Sequence, residues 1–94
     1  MKTLMTKAWF AFAAAGVCAA ASAAPVPVAL TFDDGLKAQL TIAEPMLAAR
    51  GWKATFNIVT GAAGHGGQNI SWDEVRELHR RGHEIASHSV SHPN

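Results

Sequence analysis

Two short stretches of this chain carry residue types that can do metal chemistry. Asp33 and Asp34 lie in "TFDDG" (31–35), and His88 and His92 lie four apart in "SHSVSHPN" (87–94). Converging carboxylates repel and are hard to sustain without a cation beside them. One carboxylate and two imidazoles form a three-ligand set, the usual form of a catalytic zinc site that leaves a position for water. The second carboxylate is then free to act as a base on that water, whose pKa a bound metal brings from ~15.7 to ~7. Each stretch alone has an ordinary reading. H-x-x-x-H pairs are frequent on surfaces, and Asp-Asp-Gly is a common turn. The conjunction carries the argument, and it depends on whether the chain brings the two stretches together.

The elements between them supply a reason. "PVPVALTF" (25–32) is a valine-rich apolar run between prolines and Asp-Asp-Gly, which predicts a buried strand. "LTIAEPMLAARG" (40–51) predicts a helix, with Thr41 and Glu44 in capping-box spacing, Pro45 in or near the first turn and Gly51 as the stop. "WKATFNIVTG" (52–61) predicts a second strand and "GAAGHGG" (61–67) a loop. "SWDEVRELHRRG" (71–82) predicts a second helix, capped by Ser71 and Glu74 and closed by Arg80, Arg81 and Gly82; "HEIAS" (83–87) predicts a third strand. Alternation of strand and helix argues for parallel strands with crossover helices. Sites in such folds lie at the C-terminal ends of the strands. Asp33-Asp34 ends the first strand and His88 follows the third, so both belong on one face. Neighbouring strand residues point to opposite sides, and Gly35 allows the turn that lets the two carboxylates converge.

The first 23 residues read differently. Lys2 and Lys7 precede an acid-free apolar run from Ala8 to Ala21, followed by Ala21-Ser22-Ala23. That is the three-part pattern of a secretory signal peptide, with cleavage expected after Ala23. The run is short for a membrane span, and Val17 beside Cys18 does not suit a lipid-anchor signal. Removing residues 1–23 takes away two of the eight basic residues, which leaves six against seven acids, a net charge near −1. No basic patch points to nucleic acid, no stable membrane span remains, and the only cysteine, Cys18, leaves with the signal. The expected compartment is periplasmic or extracellular.

The remaining candidates are ordinary. His65 in the glycine-rich loop and His79 on the second helix are expected at the surface, and His83 is expected to make a structural hydrogen bond. Trp52 and Trp72 are expected to pack between helix and strand.

"TFDDG", "KATFNIV" and "GHEIASHSVSHPN", in this order and spacing, resemble the polysaccharide deacetylases, the NodB-homology domain of carbohydrate esterase family four. The resemblance runs from about Val28 to Asn94. It implies a distorted (β/α) barrel of seven strands, of which residues 24–94 supply the N-terminal part, about three strands and two helices. It implies that Asp33 is the general base and that Asp34, His88 and His92 hold a divalent metal, zinc first, with cobalt or nickel possible. It implies removal of N-acetyl or O-acetyl groups from chitin, peptidoglycan or a related polysaccharide. Asn57 departs from the family pattern, which commonly has an aromatic there, and is expected to be a change of packing and not of catalysis.

The family's later motifs, including the Leu-x-His that supplies the general acid, do not occur in these residues. The domain is therefore expected to be truncated on its C-terminal side, and residues 24–94 alone are expected to fold poorly and lack activity. Three other readings remain open: a relative acting on a small cyclic amide, an inactive metal-binding fragment, and an exported binding protein.

Overall fold

The computed structural model describes residues 24–94. The expected signal peptide and Cys18 lie outside the described residues. Three strands, β1 (Thr31–Asp34), β2 (Thr55–Ile58) and β3 (Glu84–Ser87), form one parallel sheet in the order β1-β2-β3. The helix α1 (Glu44–Ala49) joins β1 to β2, and α2 (Trp72–Arg80) joins β2 to β3. The expected alternation and the parallel pairing are both present.

The two sheet faces are chemically different. Phe56 and Ile58 of β2 are 0% and 2% exposed, and they pack with Leu47 of α1 and Val75 and Leu78 of α2. Burying each such side chain contributes roughly 1.5–3 kcal/mol. Phe32 stacks on Phe56 with ring centroids 5.1 Å apart. Thr31, Asp33, Thr55, Asn57, Glu84 and Ala86 alternate with these core positions and take the other face. That face is polar: Thr55 Oγ1 donates to Glu84 Oε2 at 2.7 Å, across neighbouring strands.

β1 begins later than its apolar run suggests. Residues 25–30 are not part of the strand, and Val26 and Val28 are exposed. Pro25 and Pro27 have no N–H to give a ladder. The aspartates consequently lie inside β1, as its last two residues, and not beyond it.

The first helix also departs from expectation. A wide π-helical segment, Gln39–Ala43, runs directly into α1, with the Glu44 N–H donating to the Gln39 carbonyl. Pro45 explains the wide turn. It has no N–H, and its ring would clash with the carbonyl four residues back in a regular helix. Pro45 is thus in the first turn of α1, as expected, with the π-helical segment preceding it. The Thr41–Glu44 capping box does not form. Thr41 Oγ1 donates instead to the Lys37 carbonyl at 3.2 Å, and Glu44 is buried at 3% exposure. Arg81 Nη1 lies 3.1 Å from Glu44 Oε2, an ion contact outside hydrogen-bond alignment, and His83 Nε2 lies 3.4 Å from Oε1. His83 Nδ1 accepts from the Ala54 N–H at 3.1 Å, the structural role expected of it.

The second helix forms as its sequence predicts. The Glu74 N–H donates to Ser71 Oγ, and the Ser71 N–H donates to Glu74 Oε1, so the capping box is complete. The Ser71 N–H, and next the Lys37 ammonium 3.1 Å away, hold the Glu74 carboxyl below the ordinary glutamate value. Trp52 and Trp72 are more exposed than expected, at 53% and 42%. No helix among the described residues is long and apolar enough to cross a membrane.

Candidate metal centre

β1 delivers Asp34 to its C-terminal end, and the chain reverses there. Asp34 has φ 80° and Gly35 φ 70°. Two successive left-handed residues turn Asp34 out of the strand's regular alternation. A side chain at Gly35 would be strained at this φ and would press on Ile70 and Ile58 at 3.2–3.3 Å. The Gly35 carbonyl accepts from the Ile70 N–H at 2.9 Å, which ties the turn to the segment before α2.

The histidines follow β3 in an irregular segment held from outside. The His88 N–H donates to the Ile58 carbonyl at 2.8 Å, continuing the ladder by one bond. The Thr60 and Gly61 N–H groups donate to the Ser89 and Val90 carbonyls at 3.0 and 2.9 Å. The His92 N–H donates to Ser89 Oγ at 2.9 Å. Gly61 is required by space: a Cβ there would lie 2.3 Å from the Val90 carbonyl oxygen. Among the described residues the non-glycine positions with positive φ are Asp34, Ser89 and His92. Such conformations cost of order 1–3 kcal/mol each and persist where surrounding structure imposes them. All three lie in the two segments that carry the candidate ligands.

Asp34, His88 and His92 come together, one ligand atom from each lying within 4.8 Å of the others. Asp34 Oδ1 is 3.5 Å from His88 Nε2 and 3.4 Å from His92 Nε2. These distances are long for hydrogen bonds, whose N–H···O range is ~2.7–3.2 Å. Donors on a tetrahedral cation with ~2.0–2.1 Å bonds stand roughly 3.3–3.4 Å apart. Two of the three donor separations are close to that edge, the donor set of one carboxylate oxygen and two imidazole nitrogens suits a divalent ion such as zinc, and the half-exposed side chains leave a face open to solvent. The two rings are tilted, with centroids 5.1 Å apart.

Asp33 does not join this triad. Its carboxylate Oδ1 accepts from Asn57 Nδ2 at 2.9 Å, and its main-chain carbonyl accepts from Gln39 Nε2. A cavity of about 510 Å³ lined by Val28, Leu30, Gly51, Trp52 and Lys53 includes none of these residues and sits by the entry to β2, at the strands' opposite ends.

A family model described as Polysaccharide deacetylase matches residues 21–94. The chain belongs to the polysaccharide deacetylase family. Among solved structures, it is similar to a Streptococcus pyogenes deacetylase, PplD, in complex with acetate, with a TM-score of 0.65 and 32% identity. The alignment covers 82% of this chain and 36% of PplD, so the chain spans about a third of that relative's length. Comparison with curated proteins gave no match. Three parallel strands and two helices fit part of a deacetylase barrel.

In this chain Asn57 makes a contact that the expected change of packing did not include. Asn57 does not pack in the core; it touches Asp33. The cause is parity: Phe56 and Ile58 take the helix-covered face, so Asn57 must point to the face of Asp33. A signal was present in the sequence. "TFDD" and "TFNI" pair residue for residue, Thr31 with Thr55, Phe32 with Phe56 and Asp33 with Asn57. Gln39 and Gly61 were also missed, because neither contact follows from local pattern.

Proposed function

We propose that this chain supplies the metal-binding part of a hydrolase that removes acetyl groups from a polysaccharide such as chitin, peptidoglycan or a related amino-sugar glycan. The observation that carries the reading is the separation of Asp34 Oδ1 from the Nε2 atoms of His88 and His92, 3.5 and 3.4 Å, close to a tetrahedral edge. Family membership and a relative described as a deacetylase in complex with acetate support the same reading.

Asp34, His88 and His92 would hold the divalent cation, zinc first, with cobalt or nickel as substitutes. When bound, such an ion supplies Lewis acidity toward the acetyl carbonyl and makes hydroxide accessible near neutral pH. Asp33 is the base. Its carboxylate accepts the proton of the attacking water as the new C–O bond forms at the acetyl carbon. The C–N bond of an N-acetyl group, or the ester C–O bond of an O-acetyl group, then breaks and acetate leaves. The leaving group takes a proton from a residue outside those described. Residues 24–94 thus carry ligands and base without the acid, and by themselves they do not turn over substrate. The small share of PplD that the chain spans supports this. Residues 1–23 direct export to the periplasm or beyond, a reading supported by their charge and apolar order.

The test uses the full-length gene product. Metal content is measured by elemental analysis, and acetate release is followed on N-acetylglucosamine oligomers and on acetylated xylan. Asp34→Ala is expected to lose both metal and turnover. Stoichiometric metal in Asp34→Ala overturns the site. Metal retention by the wild type without acetate release from either substrate overturns the activity.

A further inference from the structure

We propose that Asn57 is a positioning residue for Asp33, holding the proposed base in one orientation through a single neutral hydrogen bond. The inference rests on the reading of Asp33 as the base that takes a proton from water.

The register places Asp33 and Asn57 directly beside each other on adjacent parallel strands. Asn57 Nδ2 donates to Asp33 Oδ1 at 2.9 Å. The assignment of the amide follows from chemistry: an ionised carboxylate only accepts, so the amide nitrogen must face it. Asn57 is itself held firmly, because Phe56 and Ile58 on either side are 0% and 2% exposed. Its Cα cannot shift without disturbing the centre of the core. Asp33 is held a second time through its main-chain carbonyl, which accepts from Gln39 Nε2. Carboxylate and backbone of Asp33 are therefore both tethered, by different elements, while Asp34 one residue on turns away at φ 80°.

The tether has a specific consequence. With Oδ1 engaged, Oδ2 is the oxygen left to accept a proton, and the carboxylate cannot rotate freely about its Cβ–Cγ bond. Proton transfer requires the base within hydrogen-bond reach of the proton it takes. A neutral donor achieves this without an opposing charge. The side-chain hydrogen bond of Asn57 goes to Asp33 and not to one of the three candidate ligands, so its part can be tested apart from metal binding.

The experiment uses the full-length gene product loaded with zinc. Asn57→Leu keeps the side chain's shape and removes the donor. Asn57→Ala removes it with no demand on packing, and Asn57→Gln restores an amide on a longer arm. Zinc affinity is read by chelator competition, and kcat and KM by acetate release from N-acetylglucosamine oligomers. Crystal structures of the zinc-loaded variants report the Asp33 carboxylate independently of turnover. Expected for the leucine and alanine variants is zinc affinity and KM within about twofold of wild type and kcat lower by roughly 10- to 100-fold, the scale on which small misplacements act. The glutamine variant recovers part of kcat. In the crystals the Asp33 carboxylate leaves its position while Asp34, His88 and His92 keep theirs.

Unchanged kcat with normal zinc affinity overturns the proposal. So does loss of zinc in step with kcat across all three variants, which makes Asn57 a part of site integrity. An Asp33 carboxylate that stays in place in the leucine or alanine crystal overturns it as well. If the wild type releases no acetate at all, the proposed activity fails. The crystallographic displacement then still decides whether Asn57 orients Asp33.

Discussion

Two constellations in this molecule each set a carboxylate against histidine, and they behave oppositely. Glu44, His83 and Arg81 form one; Asp34, His88 and His92 form the other. In the first, the His83 and Glu44 side chains are 1% and 4% exposed. Each His83 nitrogen has its own protein partner: Nδ1 accepts from the Ala54 N–H, and the proton on Nε2 faces Glu44. A cation, Arg81, already stands at the carboxylate. In the second, two Nε2 atoms converge on one oxygen of one carboxylate, at 3.5 and 3.4 Å and with solvent access. The difference is one of donor inventory. The buried cluster gives each imidazole nitrogen a protein partner of its own, as buried polar groups require, and Glu44 Oε2 meets Arg81 as an ion contact. A ligand set points its lone pairs at a common place. Histidine beside a carboxylate is therefore not enough to read a metal site, and the count of protons between them decides.

Removing a member of each cluster breaks the comparison most sharply. Asp34→Ala should lower zinc affinity by more than ~100-fold, exceeding the effect usual for outer-shell partners. It should change the unfolding free energy of the zinc-free protein by no more than about 0.5 kcal/mol, as for surface substitutions. Glu44→Ala should do the reverse, leaving zinc affinity near wild type while costing about 1–3 kcal/mol by orphaning the buried His83 N–H. Chelator competition and denaturant unfolding of both variants separate the two roles. Equal losses of affinity would erase the distinction.

The next effect is conformational. Gly61→Ala places a methyl against the Val90 carbonyl and must push the histidine segment outward. A roughly tenfold loss of zinc affinity is expected, within the range for groups that orient ligands. Isothermal titration with zinc checks it, and an unchanged affinity would mean that the 88–92 segment is placed by β3 alone.

The smallest effect is electrostatic and lies far from either histidine cluster. The Glu74 carboxyl is held below its ordinary value by the Ser71 N–H and then by Lys37. A lowered folded value means that its stabilisation is complete above the unfolded glutamate pKa. It is lost as pH falls through the folded value. Unfolding midpoints should therefore drop on acidification below about pH 4.3, and Glu74→Gln should flatten that part of the profile. Ser71→Ala should cost about 1 kcal/mol at neutral pH. A Glu74→Gln profile with wild-type slope would remove the capping box from the account of acid sensitivity.

Much of this was readable in the chain because the signals were local. Ser71 and Glu74 lie three apart, Gly82 follows Arg81, and the alternation of apolar runs with capped helices is compatible with few folds. The Asp33-Asp34 pair could be grouped with His88 and His92 because parallel strands bring their C-terminal ends to one side, and the family resemblance singled out Asp34. The reading failed where a contact crosses elements. Thr41 and Glu44 have the spacing of a cap, yet Glu44 pairs with Arg81 and His83, far away in sequence. Pro45 lies in the first turn of α1 as its position suggested, but the widened π-helical turn before it was not foreseen.

The sequence by itself determined the order of elements, the α2 cap and the residue types of the metal centre, since each depends on neighbours within a turn or on a strand's end. The family resemblance named Asp34 as the aspartate of the histidines, but only tertiary structure brought the three together and set Asp33 against Asn57. Tertiary structure also decided that Gly61 must leave room for Val90. Those outcomes depend on strand register and on which face the helices cover, and both are settled only when Phe56 and Ile58 are buried. Once that face is filled, period-two alternation leaves Asp33 and Asn57 side by side on the other.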